Sequence, residues 1–129
     1  MSVEFGISEV FPASCEAVYE TWLDSEGHAA MTGSPAVASG EVGGEFRAWD
    51  GYITGKNLEL TPGNLIRQSW RTQDFDGSEQ DSELVITLEA EGSGTRLALK
   101  HTNLPDSGMH YKKGWIDHYF EPMKAHFQI

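Results

Sequence analysis

Residues 108–128 read GMHYKKGWIDHYFEPMKAHFQ, and this stretch decides the fold. Tyr111, Trp115, Ile116, Tyr119, Phe120, Met123 and Phe127 recur at helical steps, which predicts one broad, strongly aromatic face on a long helix over 108–128. Pro122 removes one backbone hydrogen bond and crowds the carbonyl of His118, so a kink is expected there. Leu104-Pro105-Asp106-Ser107 ends the preceding strand and supplies the cap. An apolar face of this size needs a surface to cover, and the rest of the chain supplies strands.

Residues 3–10 alternate, with Val3, Phe5 and Ile7 on one side and Glu4 and Ser8 on the other. Phe11-Pro12-Ala13 ends that strand. Ser14 is placed to cap a helix whose apolar stripe is Cys15, Val18, Tyr19, Trp22 and Leu23. Asp24-Ser25 breaks it and caps a short second helix through Met31, closed by Gly33 and Pro35. From 36 to 103 strand-like runs alternate with the turn signals Gly43-Gly44, Asp50-Gly51, Pro62-Gly63-Asn64, Asp76-Gly77 and Gly92-Ser93-Gly94. Short connections of this kind force antiparallel neighbours. Gly55 disturbs the parity of its strand and is read as a bulge or bend. The order is one strand, two short helices, six further strands and a long helix, an α+β chain with seven strands read as one domain over residues 1–129.

Composition narrows the function classes. With 20 acidic against 9 basic residues the net charge is -11, and Lys112-Lys113 is the one adjacent basic pair, so no nucleic-acid partner is expected. No apolar run approaches the ~18 residues of a membrane span. The start, Met1-Ser2-Val3-Glu4-Phe5, lacks the basic and apolar blocks of a signal peptide. The lone Cys15 fits a reducing compartment, and a cytoplasmic location is expected.

Phe11-Pro12-Ala13, Met31-Thr32-Gly33, Gly43-Gly44 with Phe46, and Gly51 and Gly55 stand in an order shared with a known family. So do Pro62-Gly63 before Trp70-Arg71, the run Thr95 to His101, Gly114-Trp115, and Tyr119 to Lys124. Together these resemble the activator-of-heat-shock-protein-90-ATPase-like proteins, within the START/Bet v-like helix-grip superfamily (SRPBCC). The resemblance implies a curved seven-stranded antiparallel sheet wrapped around a long C-terminal helix, with two short helices after the first strand. It implies hosts as different as ligand carriers, enzymes and chaperone regulators, since one architecture carries many functions. Relatives often carry Trp at the position of Met31, at the mouth of any cavity.

Strand alternation puts His101 and Asn103 beside Leu97 and Leu99, and Gln68 beside Ile66 and Trp70. Trp115 and Tyr119 stand one turn apart on the covering helix. With Met31 and Met123, these residues suggest an aromatic-walled space holding a few polar groups, as small-molecule pockets do. The same residues also suit a filled core, where a buried His or Gln bonds to a neighbour. No nucleophile elbow, phosphate loop or dinucleotide fingerprint occurs. His110, His118 and His126 lie eight apart, about 12 Å per step, too far to share an ion, so neither metal nor cofactor is expected. Three readings stay open: a non-enzymatic carrier of a small hydrophobic or amphipathic molecule, a chaperone-associated or stress-response interaction protein, and a cyclase- or hydrolase-like enzyme. In the last, His101 and Tyr119 are the acid–base pair.

Overall fold

Local chemistry sets the first turns of the chain. The computed structural model describes residues 3–106 and 108–127. Strand β1 (Val3–Phe11) leads into α1 (Cys15–Leu23), where Ser14 Oγ accepts the Ala17 amide at 3.1 Å. Asp24 then caps α2 (Ser25–Thr32) by accepting the Gly27 amide at 2.8 Å. Each such cap is worth about 1 kcal/mol. Gly33 closes α2 at φ 81°, a left-handed value that suits glycine.

Strands β2 (Glu45–Ala48), β3 (Ile53–Thr61), β4 (Leu65–Thr72), β5 (Ser82–Glu91) and β6 (Gly94–Leu104) follow. All pairs are antiparallel, and the sheet order is β1-β6-β5-β4-β3-β2. Its inward face carries Ile66, Gln68 and Trp70 from β4, Leu84, Ile86 and Leu88 from β5, and Leu97, Leu99 and His101 from β6, all buried. Against that face lie Val18, Trp22, Met31 and the buried C-terminal residues Tyr111, Trp115, Tyr119, Phe120 and Met123. The fold is α+β, an antiparallel sheet gripping a C-terminal helix. Among the described residues no helix is long and apolar enough to cross a membrane.

The described residues form six strands where the sequence suggests seven. The run after Pro35 contributes one isolated bridge, Val37 to Arg47. The cause is Asn57, a buried residue of β3. Its side-chain amide donates to the carbonyls of Ser39 (2.7 Å) and Glu41 (3.0 Å), and its backbone bonds to Gly43 and Gly44. Residues 39–44 are folded onto β3 in place of pairing as a strand, so Gly43-Gly44 is part of this clasp and no hairpin. Gly55 marks a close approach: a Cβ there would lie 1.9 Å from the Ser69 carbonyl oxygen and 2.5 Å from the Phe46 ring. The register shift falls later, between Asn57 and Glu59. Asn103 leaves the inward face, because its φ of 58° inserts an extra residue opposite β1 and returns Leu104 to the core.

The C-terminal helix also departs from the single kinked rod. It comprises α3 (His110–Trp115), a π-helical turn at Ile116–Phe120, and α4 (Glu121–Phe127). The Glu121 amide reaches back five residues to the Ile116 carbonyl. Pro122 thereby falls in the first turn of α4, where a missing amide hydrogen is cheap. Ile116, expected on the buried face, is 37% exposed. The expected cap at Asp106-Ser107 involves Ser107, which lies outside the described residues; Met109 precedes α3 and makes no side-chain cap bond.

Asn57→Ala tests the clasp. It removes both loop bonds and strips Gln68 Nε2 of its partner Asn57 Oδ1 (2.8 Å). The expected loss is about 2–4 kcal/mol in urea unfolding at neutral pH, because buried polar groups are left unpaired.

Candidate functional site

The helix face that covers the sheet is aromatic, but three of its side chains end in polar atoms. Burial obliges each to find a partner. The Tyr111 and Thr72 hydroxyls bond at 2.6 Å, tying α3 to β4. Trp115 Nε1 donates to His101 Nδ1 at 3.0 Å, tying α3 to β6. With Nδ1 accepting, His101 carries its proton on Nε2 and donates to Ser82 Oγ at 2.7 Å; Ser82 in turn donates to the Trp70 carbonyl at 2.8 Å. Tyr119 bonds His28 of α2 at 2.8 Å, and His28 Nδ1 must donate to the Trp22 carbonyl at 2.8 Å. Nε2 of His28 is then the acceptor of the Tyr119 hydroxyl.

Burial governs the protonation of these groups. It drives the His101 pKa down to about 3 and lowers that of His28, the latter partly offset by the Trp22 carbonyl. It raises the Tyr119 hydroxyl far above its ordinary value. Both imidazoles are neutral at physiological pH, and each ring nitrogen is engaged. His101 and Tyr119, the acid–base pair suggested by the sequence, serve different partners and share no hydrogen bond.

A groove of about 570 Å³ opens beside this network. Trp70, Trp115 and Tyr119 form its buried floor, with Tyr111. Trp49, Tyr52 and Ile53, around the β2–β3 turn, make one wall; His110, Lys113, Gly114, Asp117 and His118 of the C-terminal helix make the other. The Trp49 ring meets His118 edge to face at 5.4 Å. The Tyr52 hydroxyl donates to Asp74, and burial, with that bond second, pushes its pKa up to about 12. Lys113 and Asp117 form a loose ion pair at 3.8 Å on the rim. Gly114 faces open space where a Cβ would stand, so this helical position keeps the groove wide at a cost to helix stability of ~1 kcal/mol.

Of the eight residues named from the sequence, Trp70, Trp115 and Tyr119 line the groove. Ile66, Gln68, His101, Met31 and Met123 are packed in the core, each at most 2% exposed. The strand alternation that faces them inward also buries them beneath the aromatic layer. Trp49 and Tyr52 escaped the sequence reading because they flank Asp50-Gly51, a turn signal. His28 escaped it too, although its spacing to Met31 and Thr32 on α2 marks a buried stripe.

A sheet holding an aromatic helix through buried imidazoles, with an open aromatic groove beside it, defines a helix-grip fold. The family model described as activator of Hsp90 ATPase homolog 1-like protein matches residues 12–128, and the chain belongs to that family. An activator of 90 kDa heat shock protein ATPase homolog from Dictyostelium discoideum is 28% identical over 123 residues, covering 94% of this chain and 32% of that protein. A mouse homolog 2 of the same activator is 27% identical over 131 residues, covering 99% and 39%. The chain thus spans about a third of the length of these curated relatives. An HSP90 activator from Plasmodium falciparum superposes with a TM-score of 0.86 at 24% identity, covering 95% of this chain and 94% of that one. The Aha1 dimer from Colwellia psychrerythraea gives 0.83 at 19% identity, covering 98% and 97%. At such identities the structures establish the fold.

The buried imidazoles make stability pH-dependent. Unfolded His101 takes up a proton near pH 6.5, whereas folded His101 does so only near 3. The unfolded state binds more protons between those values, so stability is full above pH 6.5 and falls as the pH drops through this window. From pH 7 to 5 the loss from this residue is about 2 kcal/mol. His101→Asn costs stability at neutral pH by breaking the Trp115 and Ser82 bonds. It also removes this part of the acid slope, so the gap to the unaltered protein narrows by about 2 kcal/mol at pH 5 in urea titrations.

Proposed function

We propose that this chain is a chaperone-associated binding protein that acts on the ATPase of a 90 kDa heat-shock-class chaperone. The observation that carries this reading is the family match across residues 12–128, joined to relatives whose names are those of ATPase activators. The geometry agrees in kind. The titratable groups beneath the helix are neutral, mutually bonded and shielded, which suits a scaffold better than a reaction centre. The groove and its charged rim are accessible to a partner's side chains. A cytoplasmic setting fits both the lone cysteine and a cytoplasmic chaperone. The test is the steady-state ATPase rate of the purified cognate chaperone with and without the chain. At least a twofold rise with micromolar chain is expected, together with co-elution in size-exclusion chromatography. An unchanged rate without co-elution overturns the reading.

A second reading is favoured by one observation, the groove of about 570 Å³ with its aromatic floor. That size and lining suit a small apolar molecule, with few polar groups to orient it. Gly114→Leu fills the space where no Cβ stands, and its helix propensity exceeds that of glycine. In NMR titrations with sterols, fatty acids and aromatic compounds, binding to the unaltered chain is expected to perturb Trp49, Trp115 and Tyr119. The leucine variant should hold its stability and lose the binding by about tenfold or more. Perturbation that persists unchanged in Gly114→Leu places the ligand elsewhere.

A further inference from the structure

The β2–β3 turn holds Trp49 in an unusual state. Trp49, Asp50 and Gly51 take φ values of 53°, 57° and 86°. Left-handed backbone suits Asp-Gly in such a turn, but a bulky aromatic residue at positive φ is an outlier. The Trp49 indole N–H is also buried without a hydrogen-bond partner among the described residues. Both features cost stability, and strain of this sort concentrates at binding sites.

The tyrosine hydroxyls around the groove and the Trp115 indole are already committed. The Tyr119 hydroxyl serves His28, that of Tyr111 serves Thr72, that of Tyr52 serves Asp74, and Trp115 Nε1 serves His101. Trp49 is therefore the aromatic residue of this wall with hydrogen-bonding capacity to spare, and what it has to spare is a donor. A ligand that matches it supplies an acceptor. The chain's net charge of -11 disfavours an anion, since Lys113 on the rim is matched by Asp117.

We infer that the groove takes an aromatic apolar molecule bearing a neutral hydrogen-bond acceptor, a ketone, ester or amide carbonyl, and that Trp49 is the residue that selects it. The indole turns on the strained β2–β3 connection to bring its N–H to the carbonyl, while the apolar body lies on Trp70, Trp115 and Tyr119. This rests on the small-molecule reading of the groove given above.

Benzophenone and diphenylmethane, two-ring probes differing by the carbonyl, separate the two claims. Each is titrated into the chain labelled with ¹⁵N at tryptophan, and into Trp49→Phe, which keeps an aromatic ring and deletes the donor. Benzophenone is expected to bind about fivefold or more tighter than diphenylmethane, the worth of one neutral hydrogen bond, and to move the Trp49 indole N–H resonance downfield. In Trp49→Phe that preference vanishes while diphenylmethane still binds, which also shows the variant folded. The resonance shift is read in the unaltered chain and depends on no variant. Equal affinity for the two probes, or a preference that survives Trp49→Phe, overturns the role of Trp49 and leaves the groove as an apolar site. Binding of neither probe overturns both claims.

Discussion

Burying an aromatic helix face that ends in hydroxyl, indole and phenol groups is the constraint from which this structure follows. Tyr111, Trp115 and Tyr119 bring large apolar areas under cover, but each also brings one polar atom into a medium without water. An unmatched group there costs on the order of 1–3 kcal/mol. Thr72, His101 and His28 supply the matches from β4, β6 and α2. Because the three bonds come from three elements, they fix the helix in translation and rotation, which apolar contact alone does loosely. The two histidines can act as partners only when neutral, and the burial that needs them also keeps them so.

Meeting three fixed points along one helix is geometrically demanding, and the π-helical turn at Ile116–Phe120 lies where that demand falls. It separates Trp115 from Met123 by a stretch that is not regular α-helix, yet both remain buried on the sheet side, while Ile116 is displaced toward solvent. The same turn leaves Pro122 at the start of a fresh helical segment, where proline is tolerated. A regular helix through Pro122 would lose a hydrogen bond in its middle. The π turn moves that defect to a position where the amide has little to lose.

What the sequence disclosed and what it withheld divide along this line. Ser14, Asp24 and Gly33 were legible because a cap acts over three or four residues. Leu84 to Leu88 and Leu97 to Leu99 were legible because alternation is a local pattern. The seventh strand failed because Asn57, well downstream in sequence, gives the Ser39 and Glu41 carbonyls a side-chain partner in place of a neighbouring strand. The family resemblance gave the architecture, but it could not say whether Gln68 and His101 face a void or a neighbour. That depends on where the helix comes to rest, and Trp115 and Asn57 occupy the positions a ligand would need. Trp49 and Tyr52 belong to a turn by sequence and to the groove by tertiary placement alone.

The location of open space follows from the same arithmetic. A sheet and helix held by side chains as large as Trp70, Trp115 and Tyr119 leave the interior filled and engage its polar groups, with Gln68 Oε1 left unpaired among the described residues. The groove lies beside these pinned residues, between the helix and the β2–β3 turn. There Gly114 withholds a side chain and Trp49 is held at a backbone angle it disfavours. Gly114 lowers helix stability and adds no packing, whereas Trp49 packs against the core with its backbone in a disfavoured region. A groove at that edge is accessible without unfolding any element of the sheet. On the proposed reading, selection at this surface rests on the spare donor of the wall rather than on burial beneath the helix.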